Sequence, residues 1–99
     1  MTIEKNENGT QLTLILEGRL DTTSAPCFEA ELKKSLNGIV SLKMDFAKLE
    51  YISSAGLRVL LSAQKVMNKQ GSMVISNVNE GILEVFEITG FVDILTIEA

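Results

Sequence analysis

Apolar and polar residues alternate in two stretches of the first half of the chain. Leucines occupy every second position from Leu12 to Leu16, and apolar residues do so again from Leu42 to Phe46. A period of two is typical of a strand that buries one face. Shorter apolar runs beside turn residues indicate three further strands. The strands predicted in this way cover residues 2–5, 12–18, 40–46, 73–75 and 91–97.

Three other stretches repeat their apolar residues every three or four positions, as amphipathic helices do. The first helix is expected to begin near Ser24 and to stop at Asn37, the second follows Gly56, and the third runs from Asn79 to Gly90. The residues expected to face the core are Ala25, Phe28, Leu32 and Leu36 on the first helix, Val59, Leu60, Ala63, Val66 and Met67 on the second, and Ile82, Leu83, Val85 and Phe86 on the third.

The order of these elements is strand, strand, helix, strand, helix, strand, helix, strand. Asn8 and Gly9 have the residue types that tolerate a tight hairpin turn between the first two strands. We therefore predict an α/β fold in one domain spanning residues 1–99. The predicted sheet is mixed and mostly parallel, it begins with an N-terminal hairpin, and about three helices pack over it.

The stretch from Tyr51 to Arg58 places two serines and a glycine between a predicted strand and the second helix. The first N–H groups of a helix lack partners within the helix, so a serine there can act as a cap. The same N–H groups and the helix dipole also stabilise an anion. Ser54 is therefore either a plain cap or a hydroxyl placed where a phosphate would be stabilised. The loop containing Asp21 also follows a strand and precedes a helix, so both should lie at the same edge of the sheet.

Leu57 and Leu61 lie one turn apart on the second helix, away from its predicted core face and close to the serines. A pair of partly exposed leucines at this place would be a docking surface for another protein. The alternative is that neighbouring loops cover both side chains.

The composition narrows the classes of function. The chain has 99 residues, of which 45% are hydrophobic and 22% charged, with a net charge of −4 and no run of basic residues. Nucleic acid is not an expected partner, because binding to phosphates needs a concentrated basic surface. No apolar run approaches the roughly 20 residues that span a bilayer, and Met1 is not followed by a signal-peptide core, so a cytoplasmic protein without membrane insertion is expected.

Catalysis by this chain is not indicated. Histidine is absent, and Cys27 is the single cysteine, which we expect to be packed in the first turn of its helix. No phosphate-binding loop, dinucleotide fingerprint or nucleophile elbow is present. Asp21, Asp45 and Asp93 are scattered along the chain, so neither a metal nor another cofactor is expected. A small phosphotransfer or nucleotide-binding protein that uses Asp21 or Asp45 remains as an enzymatic alternative.

Two segments resemble a known family. Gly18-Arg19-Leu20-Asp21, followed by a helix, and the run from Asp45 to Leu60 that contains Ser53-Ser54-Ala55-Gly56 are similar to the STAS domain of bacterial anti-sigma factor antagonists. The resemblance extends over essentially the whole chain. It implies a protein without catalytic activity that binds an anti-sigma factor serine kinase and thereby frees a sigma factor.

The resemblance also implies a phosphorylation site. The kinase modifies the serine two positions before the motif glycine, which is Ser54 here, and a serine phosphatase reverses the reaction. Family members usually have Asp before this serine, whereas this chain has Ser53, which is the second candidate for modification. Asp21 matches an acidic residue that helps recognition by the kinase, with helix capping as its alternative role. The partner surface implied in this way comprises Asp21, Ser53, Ser54, Gly56, Leu57, Arg58 and Leu61.

Two consequences follow for function. A phosphate adds about −1.5 to −2 charges at neutral pH, and a partner docked over the serine turn would have to desolvate it. Phosphorylation should therefore act as a release signal without unfolding the protein. The alternative to this antagonist is a STAS adaptor subunit of a transport or signalling assembly, in which Ser54 is only a cap.

Overall fold

Five strands form one sheet with the spatial order β1-β2-β3-β4-β5. The computed structural model describes residues 1–98. Antiparallel pairing joins β1 and β2, and every later pair is parallel, which confirms the mixed, mostly parallel sheet. The strands are β1 (Thr2–Asn8), β2 (Gln11–Leu20), β3 (Ser41–Ile52), β4 (Ser72–Ser76) and β5 (Ile97–Glu98).

Three α-helices connect the parallel strands, as predicted. They are α1 (Ala25–Ser35), α2 (Ser54–Gln70) and α3 (Glu80–Thr89), and a 3-10 turn at Phe91–Asp93 follows α3. The side chain of Asn79 caps α3, since its oxygen accepts a hydrogen bond from the Ile82 N–H at 2.8 Å. Within residues 1–98, none of the helices combines the length and apolar character that crossing a membrane requires.

One face of the sheet carries the core. Along the first half of β3, buried residues alternate with more exposed ones, and the buried residues of all three helices belong to the same cluster as those of the strands. The helices therefore cover one face and leave the other to solvent. The largest side chains that are fully buried are Phe28, Phe46 and Phe86.

Three strands extend well past their predicted ends, and the first of them, β1, reaches Asn8 instead of Lys5. β2 continues past Gly18 to Leu20, and β3 continues past Phe46 to Ile52, where a loop was expected. Leu20 pairs with Ile52, and register shifts in β2 interrupt the alternation before that point. An irregularity in the pairing breaks the period of two, so the pattern alone ended β2 and β3 early.

The last predicted strand, over residues 91–97, is mostly wrong. Gly90 has a φ of 80°, in the left-handed region that ends α3, and the chain then forms the 3-10 turn. Within residues 91–98, only Ile97 and Glu98 pair with β4. Val66 was expected in the core but is 41% exposed, and Cys27 is exposed as well. Val66 lies at the margin of the buried face of α2, which a projection at fixed angles locates poorly. Cys27 lies on the side of α1 away from the buried residues of that helix.

The first turn of α2 packs closely against the ends of β2 and β3. A Cβ atom placed on Gly56 would lie 2.7 Å from Cγ of Leu20 and 2.9 Å from Cγ1 of Ile52. Real Cβ atoms essentially never approach carbon atoms so closely, so the helix can sit here only with glycine at this position. This contact fixes where α2 begins relative to the two strand ends.

We expect Gly56→Ala to lower the free energy of unfolding by about 1–3 kcal/mol, because the added methyl group overpacks the contact with Leu20 and Ile52. Gly81→Ala is the matched control, since Gly81 is exposed on α3 and its Cβ would meet only the Asn79 oxygen at 3.4 Å. There the gain in helix propensity should leave stability unchanged or raised by about 0.5–1 kcal/mol. Urea unfolding followed by circular dichroism measures both variants, and equal effects would contradict the packing argument.

Candidate functional site

The serine turn joins β3 to α2, and Ser53 is the N-cap of the helix. Its hydroxyl oxygen accepts a hydrogen bond from the Gly56 N–H at 3.4 Å, and its backbone N–H donates to the Leu20 carbonyl oxygen at 2.9 Å. The sequence prediction put the cap at Ser54 and was wrong by one residue. Because β3 reaches Ile52, Ser53 has the extended backbone (φ −100°, ψ 174°) that an N-cap adopts.

Ser54 is the first residue of α2 and is exposed, whereas Ser53 is half-buried. Within residues 1–98 the Ser54 hydroxyl has no hydrogen-bond partner, while that of Ser53 is held by its capping bond. The two neighbouring hydroxyls therefore differ in both exposure and hydrogen bonding. Ser54 is accessible at a helix N-terminus, where the dipole favours negative charge.

The loop after β2 lies beside the serine turn, since the Leu20 carbonyl that accepts from Ser53 immediately precedes Asp21. One carboxylate oxygen of Asp21 accepts hydrogen bonds from the N–H groups of Thr23 at 3.1 Å and Ser24 at 3.0 Å. The Ser24 hydroxyl oxygen accepts in return from the Asp21 N–H at 2.9 Å. This reciprocal pair closes the turn that leads into α1. Asp21 therefore has the role at the helix entry that the sequence analysis gave as the alternative to kinase recognition.

These contacts keep Asp21 ionised. The hydrogen bond from the Ser24 N–H is the main cause that lowers the pKa of the Asp21 carboxyl below its usual range, and partial burial opposes it. The Ser24 hydroxyl, the Thr23 N–H and the charge of Arg19 lower this pKa further. The edge of the sheet next to the serine turn therefore carries a negative charge at neutral pH.

Arg19 and Tyr51 flank the same edge and were not singled out from the sequence. The Arg19 guanidinium lies 4.3 Å from the centre of the Tyr51 ring, and its Nε is 3.9 Å from the second carboxylate oxygen of Asp21. Stacking of this kind orients a cation on the aromatic face. The pairing of β2 with β3 places these two residues opposite each other. They could have been found from the sequence only by extending both predicted strands to their true ends.

Only one leucine of the predicted pair is partly exposed. Leu57 is 6% exposed and belongs to the core, so the expectation that it forms part of a docking surface is wrong. Leu61 is half-buried, and Arg58 is exposed. The reason is that the buried arc of α2 covers roughly 160° at 100° per residue and extends to Leu57 and Gln64. On α2, the exposed surface beside the serine turn thus includes Ser54, Arg58 and part of Leu61.

Asp21 and Asp45, the acidic residues of the enzymatic alternative, do not lie together in the described part of the chain. One oxygen of Asp45 accepts hydrogen bonds from the Ala47 N–H at 2.9 Å and the Asn77 amide at 3.0 Å. The Asn77 amide is the main cause that lowers the pKa of Asp45. Asp45 pairs with Ile15 in the middle of the sheet, well away from Asp21. Among residues 1–98, no three His, Cys, Asp or Glu side chains are grouped so that they could hold a metal ion.

Two concave regions lie elsewhere on the molecule. A groove of about 620 Å³ runs between α1 and α2, and its apolar lining includes Leu32, Val59 and Val66. A second, of about 550 Å³, lies beside Leu49 and Asn79. None of the predicted site residues lines either region. The serine turn is instead an open, polar edge of the molecule, which suits contact with another protein better than enclosure of a small substrate.

Comparison with known proteins identifies a family whose sequence model matches this chain. The sequence model described as STAS domain matches residues 2–99. A putative anti-sigma factor antagonist, BtrV of Bordetella bronchiseptica, is 36% identical over 98% of this chain and 84% of its own. The anti-sigma-B factor antagonist of Bacillus subtilis is 32% identical over 98% of this chain and 88% of its own.

Solved structures share the fold. SpoIIAA in its unphosphorylated form, described as an anti-sigma factor antagonist, matches 99% of this chain and 88% of its own with a TM-score of 0.78 at 14% identity. The phosphorylated form of SpoIIAA, described as a Bacillus cell fate determinant, matches 99% of this chain and 92% of its own with a TM-score of 0.76 at 15% identity.

The unequal roles of the two serines predict unequal effects on stability. Ser53→Ala removes the capping oxygen and should lower the free energy of unfolding by about 1 kcal/mol. Ser54→Ala removes an exposed hydroxyl and should change it by less than about 0.5 kcal/mol. Urea unfolding measures both. A larger loss in Ser54→Ala than in Ser53→Ala would contradict the assignment of the cap.

The pKa of Asp21 predicts a dependence of stability on pH. Because folding lowers this pKa, the ionised carboxylate stabilises the fold above the unfolded value of about 4, and this contribution is lost as the pH falls through the folded value. Asp21→Asn keeps an oxygen for the turn but has no charge. The stability difference between the wild type and Asp21→Asn should therefore be largest near pH 7 and should shrink below about pH 4. A constant difference in urea unfolding between pH 7 and pH 3 would contradict the prediction.

Proposed function

This chain belongs to the STAS domain family, and from that membership we propose that it is an anti-sigma factor antagonist controlled by phosphorylation of Ser54. In its unmodified form it binds an anti-sigma factor that is also a serine kinase, and so releases the sigma factor. Phosphorylation of Ser54 frees the antagonist from the kinase, and a serine phosphatase restores it. Two curated relatives above 30% identity, one named as a putative anti-sigma factor antagonist and the other as an anti-sigma-B factor antagonist, support this role.

The observation that carries the proposal is the contrast between the two serines. Ser53 is engaged as the N-cap, whereas Ser54 is exposed with its hydroxyl free. A kinase must bring the Ser54 oxygen to the γ-phosphorus of ATP, where the oxygen displaces ADP and its proton passes to a base of the kinase. An exposed hydroxyl at the start of a helix can be presented in this way without unwinding the helix.

The modified protein should keep its fold. A phosphate on Ser54 lies at the N-terminus of a 17-residue helix, whose dipole favours negative charge. SpoIIAA supports this expectation by similarity, because its phosphorylated and unphosphorylated forms match this chain almost equally well. Release therefore comes from the interface. A partner that covers the serine turn has to desolvate a dianion, and a loss of about 3 kcal/mol of binding free energy weakens affinity roughly a hundredfold.

Other parts of the proposal follow from the same role. The chain acts by binding and has no catalytic activity of its own, and it works in the cytoplasm with the transcription machinery. The residues that contact the kinase are Asp21, Ser53, Ser54, Arg58 and the exposed part of Leu61. Gly56 contributes by holding α2 against Leu20 and Ile52, and not through a side chain.

The adaptor alternative rested on Ser53, which stands where antagonists that resemble this chain usually have Asp. Serine and aspartate are about equally effective N-caps, and Ser53 performs that role here. The substitution therefore preserves the local structure that presents Ser54. No observation in the described part of the chain favours the adaptor over the antagonist.

Phosphorylation by an anti-sigma factor serine kinase tests the proposal. With ATP, we expect one phosphate on the wild type and none on Ser54→Ala, as measured by intact mass. Ser53→Thr is the matched control, because threonine keeps the capping oxygen, and it should still gain one phosphate. Modification of Ser54→Ala, or an unmodified wild type bound to a transporter or scaffold in a pull-down, would overturn the proposal.

A further inference from the structure

We infer that Arg58 is an intramolecular clamp for the phosphate on Ser54, so that phosphorylation also withdraws a cation from the partner surface. This inference rests on the proposed modification of Ser54. It goes beyond that proposal because it assigns a specific role to a side chain one turn along α2.

The geometry follows from the helix. Ser54 is the first residue of α2 and Arg58 is four residues later, so both side chains lie on the same face, with Cβ atoms roughly 5–6 Å apart. Both residues are exposed. A phosphate on the Ser54 oxygen extends towards solvent, and the long, flexible arginine side chain can reach it without any change in the backbone. Guanidinium binds phosphate through paired N–H groups, which makes arginine well suited to this contact.

The charges of α2 leave Arg58 without a competing partner. The helix carries three cations, Arg58, Lys65 and Lys69, and no acidic residue. All four ion pairs formed within residues 1–98 involve other residues, so Arg58 lies within 4 Å of no carboxylate there. A cation in the second turn also lies close to the positive end of the helix dipole, which disfavours it slightly. An anion at Ser54 would pair with the Arg58 cation and would also be stabilised by the positive end of the helix dipole.

Arg19 is the other cation near the serine turn, but it is already engaged. Its guanidinium stacks on the Tyr51 ring at 4.3 Å, and its Nε lies 3.9 Å from an Asp21 carboxylate oxygen. Moving it to the phosphate would give up both contacts. Arg58 gives up none, so it is the favoured clamp.

The clamp has a functional consequence. In the unmodified protein, Arg58 is a free cation beside Ser54 and can pair with an acidic group of the partner. When Ser54 is phosphorylated, the same guanidinium turns to the phosphate. The partner then meets an added negative charge and loses a positive one, so a single modification changes two features of the surface.

Phosphorus NMR of protein carrying genetically encoded phosphoserine at position 54 tests the clamp without any kinase. The second pKa of the phosphate, ordinarily about 6, should be about 0.3 lower in the wild type than in Arg58→Gln, because Arg58 stabilises the dianion. Arg58→Lys should recover part of the difference. The effect should shrink in 0.5 M NaCl, since an exposed ion pair is screened.

Lys65→Gln is the matched control, because it removes the same charge from the same face of α2, but Lys65 lies roughly 16 Å from Ser54 along the helix axis, whereas Arg58 lies roughly 6 Å from it. It should leave the phosphate pKa almost unchanged. Arg19→Gln tests the competing cation and should also have little effect. An equal shift in Lys65→Gln, a shift in Arg19→Gln alone, or no shift in Arg58→Gln would overturn the clamp.

These outcomes are separate from those of the proposed function. If the kinase never modifies Ser54 but the phosphorus titration depends on Arg58, the proposed function fails while the clamp stands as a property of the chain. If the kinase modifies Ser54 and the titration ignores Arg58, the proposed function stands and the clamp is wrong.

Discussion

The contact between the first turn of α2 and the ends of β2 and β3 is the constraint on which the candidate site depends. Gly56 lets the helix approach Leu20 and Ile52 at a distance that excludes any larger residue. The hydrogen bond from the Ser53 N–H to the Leu20 carbonyl joins the serine turn to the neighbouring strand end. Together these contacts hold the serine turn beside the Asp21 loop on rigid elements, so a kinase would meet a preformed surface.

The same contacts give two adjacent serines different roles, and in the proposed function this difference explains how the fold would tolerate phosphorylation. Ser53 stabilises the helix start, while Ser54 projects from it without a structural duty. We therefore expect that a phosphate on Ser54 would change stability little, and that the helix dipole, together with Arg58 in our inference, would stabilise it. In the proposed function, the phosphate would alter the surface that binds the kinase but not the core, from which Ser54 is excluded.

Much of this could be predicted from the sequence. The period of 3.6 located all three helices, and the rule that functional loops follow parallel strands brought Asp21 to the serine turn. The ends of the strands were harder to predict. The irregular pairing of β2 with β3 interrupts the alternation of apolar and polar residues that would have indicated that β3 continues to Ile52. That error moved the helix cap from Ser53 to Ser54. The burial of Leu57 was missed because the width of a helix's buried face depends on its neighbours, which a projection of one helix does not contain.

The central claim is that phosphorylation of Ser54 acts at the interface and leaves the fold intact. The most direct measurement is the dissociation constant of the anti-sigma factor kinase for the unmodified and the Ser54-phosphorylated protein by titration calorimetry, with the melting temperature of each form recorded alongside. The account predicts an affinity at least about a hundredfold weaker for the phosphorylated form and nearly equal melting temperatures. Equal affinities, or weaker binding accompanied by unfolding of the phosphorylated protein, would contradict it.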